Sequence, residues 1–245
     1  MKNYLLYIRF LGTRYHGWQF QKNAVSIEQK VKDAVFSVTG ENSTIYGCSR
    51  TDAGVHANMY CCNFYSSKNI EPDKMLKAIN AYLPFDIAVY DCRIAAEDFH
   101  ARFSAKSKEY IYKIYNNKIR NPFYEGIVFR YCISELDVDV LDKCCKDFIG
   151  THDFRSFCSV KCSVDSTVRT VTECEIKLDG EFIIFRVCAD GFLYNMVRIM
   201  VGTLLRISEG RIDKAAIPSI ISACDRKKAG ITAPAEGLYL NKVIY

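Results

Sequence analysis

No apolar run in the 245 residues is long enough to cross a bilayer: the most apolar stretch, Phe192 to Leu205, covers about 14 residues against the ~20 a membrane helix needs. That stretch also carries Arg198. The opening residues, Met-Lys-Asn-Tyr, lack the apolar core of a secretory signal, which predicts a cytoplasmic chain with reduced cysteines. The twelve cysteines lack the two spaced Cys/His pairs of a structural zinc site. Cys61-Cys62 and Cys144-Cys145 are adjacent and Cys158 and Cys162 stand as a lone pair, so no metal is expected. Disorder is not indicated by a hydrophobic fraction of 49% and a charged fraction of 25%, which suit one large or two small cores. Strong charge of one sign is missing as well: 33 Lys and Arg against 28 Asp and Glu leave +5, compatible with a polyanionic partner without requiring one.

What charge there is clusters locally. Lys106, Lys108, Lys113, Lys118 and Arg120 alternate with Tyr110, Tyr112 and Tyr115, a mixture suited to phosphates and unstacked bases, with Lys106 and Lys108 as candidate phosphate contacts. A solvated strand face would show the same alternation.

Residues 47–57, Gly-Cys-Ser-Arg-Thr-Asp-Ala-Gly-Val-His-Ala, place one carboxylate, Asp52, in a tight polar turn between two apolar runs. A turn aspartate followed by Ala53-Gly54 has a purely structural explanation, because its side chain accepts backbone N–H bonds. The catalytic reading rests on its company: Arg50, Thr51 and His56 crowd polar and cationic groups around the one acid. His56 is read as a turn histidine without a catalytic role.

Hydrophobic periodicity and turn residues predict a strand at 3–10, a glycine-punctuated loop, and a helix over 26–38. That helix has a Ser26/Gln29 capping box, a Val31, Ala34, Val35, Val38 stripe and Gly40 as its stop. Strands at 43–48 and 58–65 flank the Asp52 turn, Pro72 opens a helix to Tyr82, and a strand spans 87–94. The second half repeats the alternation: strand 108–116, helix 137–149, strands 168–178 and 181–188 joined at Gly180, helices 191–208 and 211–224, and a final strand 238–245. Strands and helices mixed in both halves, without regular β-α-β spacing, point to an α+β protein of two related lobes. Tyr194 and Arg198 fall on one helical face with Val201 and Leu205, which predicts an inward face and a buried carboxylate partner for Arg198. Asp52 is the acid already singled out.

The string Arg50-Thr51-Asp52-Ala53-Gly54-Val55-His56-Ala57 closely resembles the signature of the TruA family of tRNA pseudouridine synthases. The resemblance continues in order through Gly12-Thr13-x-Tyr15-His16-Gly17-Trp18-Gln19, Phe99-His100-Ala101-Arg102-Phe103-Ser104 and Tyr110-x-Tyr112-x-x-Tyr115-Asn116. It extends to His152-Asp153-Phe154-x-x-Phe157, Phe192-Leu193-Tyr194-x-Met196-Val197-Arg198 and Ala233-Pro234-Ala235-x-Gly237-Leu238-Tyr239-Leu240. Ser49 and Cys158 depart from it, where members often carry Gly and Arg. Neither touches the groups implied to be catalytic, although Cys158 removes one possible phosphate contact.

The resemblance implies the pseudouridine synthase fold: two lobes of mixed, mainly antiparallel sheet with flanking helices and a central basic cleft. The implied lobes are 1–104, with the Asp52 loop, and 105–245, with Tyr110 and the Arg198 helix. It implies conversion of uridine to pseudouridine at positions 38, 39 and 40 of the tRNA anticodon stem-loop, without cofactor or metal, by a homodimer. Asp52 matches the carboxylate that assists C1′–N1 cleavage, as nucleophile or as base at the ribose. Arg198 matches its basic partner, Tyr110 the tyrosine against the target base, and Arg50 the residue that fills the stack when the base is extruded. A phosphate clamp is the alternative for Arg50, and a core tyrosine for Tyr110.

Two other classes remain. A non-catalytic RNA-binding module needs neither Asp52 nor a buried Arg198. A glycosidic hydrolase normally shows a second carboxylate acting as acid, and none lies in the motif.

Overall fold

The computed structural model describes residues 1–159 and 165–245, so Cys162 lies outside the described residues. In chain order the elements are β1 (Lys2–Phe10), α1 (Ile27–Thr39), β2 (Tyr46–Gly47), β3 (His56–Ser66), α2 (Pro72–Tyr82) and β4 (Ile87–Ala95). They continue with β5 (Ser107–Asn116), β6 (Phe129–Tyr131), α3 (Val138–Cys145), β7 (Gly150–Asp153), β8 (Val168–Asp179), β9 (Phe182–Ala189), α4 (Met196–Ser208), α5 (Ile217–Ala223) and β10 (Leu238–Ile244). Internal contacts divide the chain into two compact units, Met1–Lys106 with Tyr239–Tyr245, and Ser107–Leu238.

In the first unit the strand order is β4-β1-β3-β10, with β2 also on β3. β1 runs antiparallel to both β3 and β4. α1 starts where Ser26 Oγ accepts from Gln29 N at 3.3 Å and ends at Gly40, whose φ of 72° is the left-handed conformation glycine adopts at least cost. Its buried face is Ile27, Val31, Ala34, Val35 and Thr39, and α2 buries Met75 and Ile79. Tyr4, Leu6, Ile8, Tyr60 and Phe64 complete this core from the sheet. The last strand belongs here rather than to a lobe running to residue 245. β10 lies parallel to β3, with Tyr239 opposite His56 and Leu240 opposite Ala57. A pairing between residues so far apart in sequence leaves no local signal.

In the second unit β5-β9-β8-β7 form an antiparallel order, with β6 parallel to β5. Gly180, at φ 60°, turns the β8–β9 hairpin. Across these strands Arg186 donates to Glu109 at 2.8 Å and Glu175 at 2.7 Å and pairs with Glu173 at 2.7 Å, which pins β5 in register against β9 and β8. The Arg186 guanidinium holds the Glu175 carboxyl below the usual carboxylate range, against a smaller opposing effect of burial. A carboxyl depressed in the folded state stabilises fully above its unfolded pKa, about 4.3, and loses that contribution as pH falls through the lower folded value. Acid unfolding of wild type and Glu175→Gln should therefore differ most above about pH 4.3, the wild type being the more stable, and the difference should shrink as the pH falls below that.

Several expected elements are shorter, for local reasons. The helix expected over 191–208 begins at Met196, because Asn195 is left-handed at φ 62°. The one expected over 211–224 begins at Ile217, where Pro218 fits only a first helical turn. The helix expected to 149 stops at Cys145 and tightens into a 3-10 turn, Lys146–Phe148. Of the strand expected over 43–48 only Tyr46 and Gly47 pair. The short strands β6 and β7 have too few residues to show a period.

Among the described residues no helix is long and apolar enough to cross a membrane, and no group of three or more His, Cys, Asp or Glu could hold a metal ion. The eleven described cysteines are free thiols, nine of them buried. Burial raises the Cys92 thiol to about 12 and the Cys62 thiol well above its ordinary value, so they pack as small apolar groups.

Candidate active site

In the first unit the Asp52 turn joins β2 to β3, and the 11–18 loop is laid against it through backbone contacts. Trp18 N donates to Thr51 O at 3.2 Å, Gly54 N donates to Tyr15 O at 3.2 Å, and Val55 N closes the turn onto Asp52 O at 3.1 Å. The approach is close enough to require glycine at two points. A Cβ on Gly17, which also has φ 83°, would sit 2.2 Å from Thr51 O, and one on Gly12 would sit 1.9 Å from Val55 O. Asp52 itself is half-buried and Arg50 is exposed.

Buried polar groups fix this arrangement from beneath. His56 is fully buried, accepts the Gly12 N–H on Nδ1 at 2.9 Å and stacks on the Tyr239 ring at 4.5 Å. It is the structural histidine the sequence suggests. The Tyr15 hydroxyl donates to Asp86 Oδ1 at 2.6 Å, and burial together with that carboxylate raises the phenol above its ordinary range. Trp18 stacks on Tyr60 at 3.9 Å, and the Tyr60 hydroxyl donates to the Ser49 carbonyl, immediately before the Arg50-Thr51-Asp52 run.

In the second unit Tyr110 lies on β5 opposite Val187, is 6% exposed, and meets the Phe192 ring edge-on at 4.9 Å. The alternation of a strand places Tyr112 and Ile114 on the same side, where both are buried. Tyr112 donates to Pro234 O at 2.7 Å, and Tyr115 packs on Tyr124 and Phe182. The alternating Lys/Tyr segment is therefore no open stacking surface: Tyr112 and Tyr115 are core residues. Lys108 is half-buried, and burial lowers the Lys113 amine. Lys118 and Arg120 are exposed, as is Lys106, which belongs to the first unit.

Arg198 is half-buried in the first turn of α4. Its Nε donates to Ala233 O at 2.7 Å and its Nη1 to Asn195 Oδ1 at 2.8 Å, while Ala233 N donates back to Arg198 O at 3.0 Å. The 230–233 segment can lie this close to α4 because Gly202 carries no side chain: a Cβ there would sit 1.8 Å from Ile231 O. Tyr194 does not share a helical face with Arg198. It precedes the helix and is 46% exposed, because the left-handed Asn195 interrupts the helical path.

Residues 6–104 and 144–245 match the family model for tRNA pseudouridine synthase. The chain belongs to that family. It is 43% identical over 245 residues to tRNA pseudouridine synthase A of Clostridium acetobutylicum, with all of both chains covered. The enzymes of the same name from Thermoanaerobacter sp. and Acetivibrio thermocellus are each 42% identical, again over the whole of both chains. Arg50 and Asp52 fall in the first segment matched by the family model and Arg198 in the second, with Lys106, Lys108 and Tyr110 between them. The α+β class with mainly antiparallel strands is the one expected.

Asn195, Ser159 and Asp86 are supporting residues that sequence reasoning passed over, and Tyr15 and Ala233 stood in the resembling segments without a role. A capping-type residue just before an apolar helix was the available signal for Asn195.

Proposed function

We propose that this enzyme converts uridine to pseudouridine in the anticodon stem-loop of tRNA, at positions 38, 39 and 40. The observation that carries the proposal is the Asp52 turn, whose backbone is held by the 11–18 loop inside the segment matched by the family model. The reaction is an isomerisation. The C1′–N1 bond breaks, uracil rotates, C5 bonds to C1′, and the proton lost from C5 is balanced by one gained at N1, so no oxidant or cofactor is consumed. Asp52 assists cleavage as nucleophile or as base at the ribose. Arg198 acts on the Asp52 carboxylate, keeping it ionised and oriented. Tyr110 packs against the target base and takes the C5 proton.

A base in a stem must leave the stack to react, and Arg50 fills the vacated place. Its exposure at the edge of the Asp52 turn supports that reading. Lys106 and Lys108 neutralise phosphates, the enzyme works as a homodimer in which each tRNA touches both copies, and the compartment is the cytoplasm. tRNA carrying tritium at uridine C5 tests the reaction, with free uracil assayed in parallel. Tritium release without uracil is the expected result. Free uracil would indicate a hydrolase, and tRNA binding with neither product a non-catalytic module.

Binding and chemistry should separate on mutation. Affinity for tRNA should fall with salt along a log–log line, and Lys106→Ala or Lys108→Ala should flatten it by roughly 0.7–0.9, one phosphate contact. Arg50→Ala should instead slow single turnover more than it weakens binding. An Arg50 variant that loses affinity alone would return Arg50 to the role of a phosphate clamp.

A further inference from the structure

The residue immediately before α4 has an unusual backbone and an unusual use of its side chain. Asn195 adopts φ 62°, ψ 9°, one of two described non-glycine residues at positive φ. Left-handed backbone in an L-residue is uncommon and costs free energy, and observed outliers of this kind concentrate at functional sites. An asparagine at this position ordinarily turns its side-chain oxygen onto the free N–H groups of the first helical turn. Asn195 makes no such bond. Its Oδ1 accepts from Arg198 Nη1 at 2.8 Å, and its Nδ2 donates to Ser159 Oγ at 2.9 Å. Ser159 is tied in turn, its N–H donating to Tyr194 O at 3.1 Å.

The left-handed turn is what makes this contact possible. It starts the helix at Met196 while leaving the Asn195 carboxamide beside the guanidinium three residues on. From the other side Ala233 O accepts from Arg198 Nε at 2.7 Å. Nε and Nη1 are thus held by oxygens, and because these two oxygens are neutral, these bonds orient the group without cancelling its charge. A cation meant to act on another carboxylate needs this kind of holding: a carboxylate in place of Asn195 would orient Arg198 and neutralise it together.

We propose that Asn195 is a positioning residue for the isomerisation, setting the side-chain conformation of Arg198 through Oδ1 and itself held by Ser159. The inference rests on the assignment of Arg198 to the Asp52 carboxylate. Asn195→Gly is the deciding variant, because glycine accepts the left-handed backbone while removing the carboxamide. Single-turnover rate, tRNA affinity and melting temperature are measured for Asn195→Gly, Arg198→Met and the double variant.

Asn195→Gly should lower the single-turnover rate about tenfold or more, the scale of a misplaced catalytic group, with affinity within about twofold of wild type. In the Arg198→Met background the same change should cost no further rate, since contacting residues acting through one group are not additive. A wild-type rate for Asn195→Gly alongside a slow Arg198→Met would overturn the role of Asn195 alone, as would full additivity. A wild-type rate for Arg198→Met would remove the underlying assignment and this inference with it. Ser159→Ala, which frees the far end of the carboxamide, gives a second reading if Asn195→Gly folds poorly. It should slow turnover by a smaller factor in the same Arg198-dependent way, and an unaltered rate would count against the proposal.

Discussion

Asp52→Ala and Asp52→Asn should each lower single-turnover isomerisation by about 10⁴-fold or more while leaving tRNA affinity and melting temperature near wild type. Stability is expected to persist because the turn keeps its backbone contacts. Trp18 and Gly54 donate to and from its main chain, and Val55 N reaches the Asp52 carbonyl rather than its carboxylate. A side-chain change at Asp52 leaves those bonds in place. Affinity should persist because a carboxylate contributes nothing favourable to phosphate binding. Rapid-quench turnover with saturating enzyme measures the rate apart from binding. If the aspartate were only a turn former, the variants would melt lower and turn over normally, the reverse of the pattern expected.

Arg198→Met should lower single turnover by about 10²- to 10³-fold, the size of effect seen when a preorganised polar group is removed from a reacting centre. Unlike Asp52, it should also cost stability. Ala233 O and Asn195 Oδ1 both lose a charged donor, and acceptors left without a partner cost about 1–3 kcal/mol when water cannot replace it. At about 2–4 °C per kcal/mol for a chain of this size, thermal melts should register the loss clearly. Arg198→Lys should recover little of the rate. A lysine retains the charge but cannot present two N–H edges at once to Ala233 and Asn195. Full activity in the lysine variant would show that charge alone suffices and that the held geometry is dispensable.

The two residues also differ in how far the sequence could place them. Asp52 stands out in the chain because turn, carboxylate and cationic neighbours are contiguous. Arg198 stands out as a lone charge in an apolar helix, yet the face argument built on Tyr194 fails. One left-handed residue, Asn195, takes Tyr194 off the helix. Tyr110 reads as a strand residue from its neighbours and is one. The pattern alone could not show that Tyr112 and Tyr115 are buried as core residues, because core and ligand-facing aromatics share the same period.

By itself the sequence determined the family, the α+β class, most of the longer elements and the candidacy of Asp52, Arg198 and Tyr110. These depend on short-range patterns: capping pairs, period-2 and period-3.6 alternation, proline and glycine at turns, and motifs of contiguous residues. Tertiary structure alone decided which distant segments support those residues. The return of Tyr239–Tyr245 to lie beside β3 was settled there, as was the seating of the 11–18 loop on the Asp52 turn through Gly12 and Gly17. So was the grip of Asn195 and Ala233 on Arg198. Each is a main-chain approach or a side-chain rotamer chosen by packing, and a conformation selected by neighbours remote in the chain leaves no periodic trace in the residues that adopt it.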